Sequence, residues 1–83
     1  MSYYVYVIKS GSHDSLYIGS TQDMNKRIGE HNNGRCRYTK GRIPWTLVYK
    51  EEYNTRSEAV RREKQIKSYK SGNAFKKLIG DVA

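Results

Sequence analysis

A single cysteine, Cys36, stands in the 83-residue chain, so neither an internal disulfide nor a cysteine-rich zinc site can form. A reducing, cytoplasmic setting is the expectation. Long apolar runs are missing too, and nothing approaches the roughly 20 residues that a membrane-spanning helix needs. The opening MSYYVYVIKS has no basic segment and no extended apolar stretch, so it does not read as a secretion signal. Proline occurs once, and there is no low-complexity tract or internal repeat, so the chain reads as folded nearly end to end. Large aliphatic residues are scarce. Leu, Ile, Val and Phe together number 15, which beside a net charge of +8 is the composition of a disordered chain. Eight tyrosines and Trp45 argue the other way, because they bring apolar area with few rotamers to freeze. The length allows one domain, taken as residues 1–83.

The positive charge is uneven. Residues 26–50 carry seven Lys and Arg against Glu30 alone, interleaved with Tyr38 and Trp45. A basic stretch with aromatics and glycines suits a phosphate backbone, so Arg35, Arg37, Tyr38, Lys40 and Arg42 are the candidate nucleic-acid contacts. A solvated basic surface is the plain alternative.

Tyr3 to Lys9 is rich in aromatic and β-branched residues and reads as a strand. Turn residues 10–14 lead to a second strand, Ser15 to Ser20, making a hairpin. Thr21 or Asp23 caps a helix to about Asn33, with Gly34 placed to stop it. Residues 34–45 form a basic loop, and Thr46 to Tyr53 a third strand. Thr55 and Glu58 form a capping box that opens a helix to about Tyr69. Ala74 to Ile79 reads as a short last helix. The expected fold is α+β: a small three-stranded antiparallel sheet flanked by helices, in the order ββαβαα.

Some residues fall on unexpected faces. On the second helix Glu63 lies about 40° from Ala59, between Ala59 and Val60, within the inward stripe. An inward carboxylate is costly unless it is paired, so Glu63 is either half of an ion pair, a metal ligand or an acid–base group. On the first helix Arg27 and His31 lie beside the apolar pair Met24 and Ile28. Snorkelling and an ordinary hydrogen bond are the plain readings of those two. Tyr4, Tyr6 and Ile8 share one face of the first strand; Tyr17 and Gly19 share one face of the second. Gly19 suggests close approach of a ligand or of another backbone. Cys36 sits between Arg35 and Arg37 but has no identifiable catalytic partner.

These residues together resemble the GIY-YIG nuclease superfamily, specifically small single-domain members close to its structure-specific endonuclease branch. Tyr4-Val5-Tyr6-Val7 stands as a degenerate first motif without its glycine, and Tyr17-Ile18-Gly19 as an intact second one. Arg27, His31 one turn later and Glu63 on a later helix follow in the family order, and Tyr38-Thr39-Lys40-Gly41-Arg42 is similar to a stretch of that branch. The resemblance implies a divalent-metal-dependent DNA endonuclease using Mg²⁺ or Mn²⁺, with branched or damaged DNA as the candidate substrate and DNA repair as the setting. It implies Glu63 as metal ligand, Arg27 as phosphate clamp, Tyr17 as leading general base with Tyr6 its partner, and His31 as a second acid–base or positioning group. Ser20 stands where the repair-excision branch has lysine. Family nucleases commonly borrow specificity from an attached domain; here it falls to the basic loop or to a partner protein, and the activity expected is weak or partner-dependent. The alternative is a non-catalytic nucleic-acid-binding module that keeps the fold.

Overall fold

The computed structural model describes residues 2–13 and 15–69. Strands β1 (Tyr3–Ser10), β2 (Leu16–Thr21) and β3 (Trp45–Tyr53) form one antiparallel sheet in the order β2-β1-β3. Helix α1 (Met24–Asn32) follows β2, and helix α2 (Arg56–Lys67) follows β3. A 3₁₀ turn, Lys40–Arg42, interrupts the loop before β3. The elements follow the expected ββαβα order. The last expected helix, 74–79, lies outside the described residues. Among the described residues no helix is long and apolar enough to cross a membrane.

The central strand is covered on both faces, and Val5, Tyr6, Val7 and Ile8 are all buried. Alternation along a strand sends Val5 and Val7 to one face and Tyr6 and Ile8 to the other. Ala59 and Ile66 of α2 close the first face. Met24 and Ile28 of α1, with Trp45, Ile43 and Leu47, close the second. Burying a Val or Ile contributes roughly 1.5–3 kcal/mol, so these two small clusters carry much of the stability. A register shift between Val7 and Ile8 against β3 marks a bulge in the sheet.

Caps fix the helix ends. The Asp23 carboxylate, rather than Thr21, accepts the Lys26 amide and starts α1. At the other end the Gly34 amide donates to the His31 carbonyl and the Arg35 amide to the Glu30 carbonyl, the paired bonds of a Schellman stop. That stop needs a left-handed residue, and Gly34 has φ +77°. Thr55 caps α2 by accepting the Glu58 amide, as the capping box predicts. The helix ends at Lys67, two residues short of the expected end.

Three links pin the basic loop to the body. Asn32 bonds the Trp45 backbone on both sides, accepting its amide at 2.6 Å and donating to its carbonyl at 3.0 Å. The Trp45 indole donates to the Thr39 carbonyl at 2.9 Å. Ser10 Oγ donates to the Arg42 carbonyl at 2.6 Å. On the other layer Arg62 forks onto Glu51 at 2.9 and 3.1 Å, and the hydroxyls of Tyr49 and Tyr53 donate to the same carboxylate. Burial pushes the Glu51 carboxyl up, but these donors outweigh it and hold it below the usual carboxylate range. This network braces α2 against β3.

Candidate active site

Hairpin pairing sets Tyr6 opposite Gly19 and Ile8 opposite Tyr17, so both tyrosines face α1. On α1, Arg27 and His31 are one turn apart and share the face turned toward Tyr6. The Tyr6 hydroxyl lies 2.9 Å from His31 Nε2, and Arg27 Nε donates to the Tyr6 oxygen at 3.3 Å. On the far side of the imidazole, His31 Nδ1 lies 2.7 Å from Thr39 Oγ1.

The hydrogen-bond directions assign the histidine tautomer. The Thr39 hydroxyl proton is directed at Cys36, toward its carbonyl and thiol, so the oxygen accepts from His31 Nδ1–H. His31 Nε2 is then the bare nitrogen and accepts the Tyr6 O–H, while the Tyr6 oxygen accepts from Arg27. The relay runs from Arg27 through Tyr6 and His31 to Thr39 and the loop backbone. Burial lowers the His31 pKa, and the Arg27 charge lowers it further, so the ring is neutral near pH 7. Burial pushes the Tyr6 phenol up to about 12, although the Arg27 bond and charge partly offset this. The Tyr6 bond, the largest effect on Arg27, raises its pKa and keeps the guanidinium charged.

Tyr17 is placed differently. Its ring lies 4.9 Å from the His31 ring and 5.9 Å from that of Tyr38. It is half-buried where Tyr6 is fully buried, and among the described residues its hydroxyl has no hydrogen-bond partner. Arg27 is likewise half-exposed: Nη1 reaches Glu30 at 3.3 Å, and the side chain borders an open groove beside the end of β2.

Glu63 stands apart from this cluster. It is on α2, whose buried residues pack on the Val5–Val7 face, and its carboxylate meets Lys67 Nζ at 2.7 Å. By helix geometry it lies between Ala59 and Val60, one turn beyond the pair that borders Ser20, Thr21 and Gln22. Arg27 and Glu63 therefore belong to helices on opposite faces of the sheet. Among the described residues no three His, Cys, Asp or Glu side chains gather to hold a metal. A single hard carboxylate still fits Mg²⁺, which typically takes one or two carboxylates plus substrate phosphates and waters.

The expected basic-loop residues divide. Arg37, Tyr38 and Arg42 border one groove with His13, and Tyr38 is 76% exposed, free to stack. Arg35 and Lys40 are exposed on the same loop outside that groove. Burial pushes the Cys36 thiol up, but hydrogen bonds from the Thr39 side chain and the Tyr38 and Thr39 amides outweigh it and leave it lowered. Sequence reasoning missed Thr39. It is fully buried and holds His31, but nothing in the local pattern ties a loop threonine to a helix eight residues earlier.

A family model described as the GIY-YIG catalytic domain matches residues 2–76. UPF0213 proteins from Staphylococcus aureus strains Mu3 and N315 are each 49% identical to the chain over 69 residues, covering 82% of this chain and 83% of theirs. A solution NMR structure of a UPF0213 protein from Bacillus halodurans is 29% identical, covers both chains fully and superposes with a TM-score of 0.49.

Proposed function

Because the chain belongs to the GIY-YIG family, a family of endonuclease-type enzymes, we propose that it hydrolyses phosphodiester bonds in DNA with the help of Mg²⁺ or Mn²⁺. The observation that carries this reading is the Tyr6 hydroxyl held between Arg27 Nε and His31 Nε2, beside the Tyr17 hydroxyl, which has no partner among the described residues.

Arg27 binds the scissile phosphate. Tyr6 fixes its guanidinium through Nε, and Arg27 borders the groove where a phosphate would lie. A preorganised, always-charged donor meets the negative charge that grows on the phosphate oxygens as water attacks. Tyr17 is the general base. Tyr17 is half-buried and its hydroxyl is uncommitted among the described residues, whereas the Tyr6 hydroxyl is buried and its bonds are committed. Tyr6 and His31 are positioning residues that lock Arg27 and the Tyr17 ring. Glu63 would hold the divalent ion, and Lys67 must then swing away, which its half-exposed side chain allows. Bound there with the phosphate oxygens, the ion would draw charge off the phosphate and the departing oxygen.

The test is a panel of labelled duplex, nicked, flap and branched DNAs incubated with Mg²⁺, Mn²⁺ or a chelator. Cleavage should require the metal, and Arg27→Ala should lose on the order of 10²–10³ in rate with little loss of binding. Tight DNA binding without cleavage of any substrate would reduce the protein to a binding module.

A further inference from the structure

Three shallow grooves run end to end across the edge of the sheet. The first is bordered by Lys26, Arg27 and Glu30 of α1 and by Ser20, Thr21 and Gln22 at the end of β2. The second shares those three β2-end residues and continues to Arg56 and Val60 of α2. The third shares Arg56 and Val60 and ends at Arg61 and Lys64. Together they make one trough leading from the Arg27 guanidinium over the edge of β2 and along α2.

The charges on α2 are sorted. Arg62 is held by Glu51, and Lys67 by Glu63. Arg56, Arg61 and Lys64 are exposed, and among the described residues none has an acidic side chain within 4 Å. Those three border the trough, while Arg62 and Lys67 do not. At its other end Glu30 is committed to Arg27, and the Asp23 carboxylate to the Lys26 amide. Among the described residues Tyr3, half-buried, is the sole aromatic along the three grooves. A path with free cations and no exposed ring suits phosphates rather than stacked bases. Arg56 and Lys64 are separated by about 12 Å along the helix, the length of three to four nucleotides of duplex strand at about 3.4 Å each. The loop groove of Arg37, Tyr38 and Arg42 includes His13, from the turn before β2, and so lies at the opposite end of that strand.

We propose that the trough seats the phosphate backbone of a duplex arm of the substrate, leading away from the scissile phosphate on the side opposite the basic loop. Arg56, Arg61 and Lys64 make the backbone contacts. The proposal rests on the nuclease reading above.

Anisotropy of a short labelled duplex, followed over a salt series without divalent metal, tests it on the full chain. The variant Arg56→Gln/Arg61→Gln/Lys64→Gln should flatten the log–log salt slope by about 2–3, since each lost phosphate contact removes about 0.9. Its affinity should fall on the order of tenfold or more, and in cleavage assays KM should rise while kcat holds. The conservative variant Arg56→Lys/Arg61→Lys should keep the wild-type slope, and matching circular dichroism melts exclude misfolding as the cause. An unchanged slope in the glutamine variant, with wild-type cleavage intact, overturns the trough and leaves the nuclease reading standing. A wild-type protein that neither binds duplex with a salt-dependent slope nor cleaves any substrate overturns both.

Discussion

The Tyr6 hydroxyl fills the space that a side chain at Gly19 would need. A β-carbon at that position lies 2.6 Å from the Tyr6 oxygen and 2.8 Å from Cζ. Real β-carbons do not approach so closely, and the two residues are paired across the hairpin. Tyr6 has little freedom to retreat, being fully buried and bonded to both Arg27 and His31. The glycine of the second tripeptide is thus required by the tyrosine of the first.

Gly19→Ala should therefore push Tyr6 out of register with Arg27 and His31. The expected cost is about 1–3 kcal/mol, the range for inserting a methyl group into a packed site, together with a marked loss of cleavage. Urea unfolding alongside the cleavage assay checks this. An alanine variant with an unchanged midpoint would mean that Tyr6 has room to shift.

The two tyrosines should respond differently to loss of the hydroxyl. Tyr6→Phe strands the bare His31 Nε2 and one Arg27 donor, so stability should fall by roughly 1–3 kcal/mol. Tyr17→Phe removes a hydroxyl with no partner among the described residues, so stability should hold. Its cleavage rate should drop by about 10²–10⁴, the usual contribution of a general base. The reverse pattern, with Tyr17→Phe unstable and active, would exchange the roles assigned to the pair.

Much of this was legible in the sequence, and the exceptions share a cause. Local chemistry announced the strand from Tyr3 to within a residue of its end, a cap at Thr21 or Asp23 of which the structure uses Asp23, the Thr55 cap and the Gly34 stop, because each depends on residues a few positions apart. Because each sits on or beside an inward face, Tyr6, Tyr17, Arg27, His31 and Glu63 are all expected to converge; the structure brings the first four together and leaves Glu63 on the α2 layer. The close approach at Gly19 was expected, but what approaches is the Tyr6 side chain rather than a ligand or a backbone. Thr39 and the Glu51–Arg62 brace were invisible because their partners are chosen by tertiary folding. Glu63 was legible as a carboxylate in need of a partner, an ion pair among the readings, and the structure pairs it with the half-exposed Lys67 one turn on.

His31 makes stability depend on pH. Its folded pKa lies below the ordinary histidine value of about 6.5. Above that value the ring is neutral both folded and unfolded, and it exacts no penalty. As pH falls below it, the unfolded chain takes up a proton before the folded one does, so stability declines until the folded pKa is passed. Protonation would turn Nε2 into a donor facing an oxygen that already accepts from Arg27. Melting temperature should begin to fall as pH drops below about 6.5, before most carboxylates titrate. A flat profile over that range would mean that His31 is not held neutral by the fold.

The Glu63–Lys67 pair decides how the glutamate should be tested. The lysine side chain is 52% exposed and that of the glutamate 19%. This is an i, i+4 surface pair of the kind worth about 0.3–0.5 kcal/mol, not a buried strut. Glu63→Gln should accordingly shift unfolding free energy by no more than about 0.5 kcal/mol. The same change removes the one hard anionic oxygen that the α2 flank offers to Mg²⁺. Cleavage should then vanish at any practical metal concentration. DNA binding without metal should hold or strengthen, since one charge that repels phosphate is gone. Lys67→Gln is the matching control: it breaks the same ion pair, leaves the carboxylate in place and should keep activity. If both variants lose cleavage equally, the ion pair itself is what matters. If Glu63→Gln still cuts DNA with Mg²⁺, the metal is held elsewhere, and the role proposed for this residue falls.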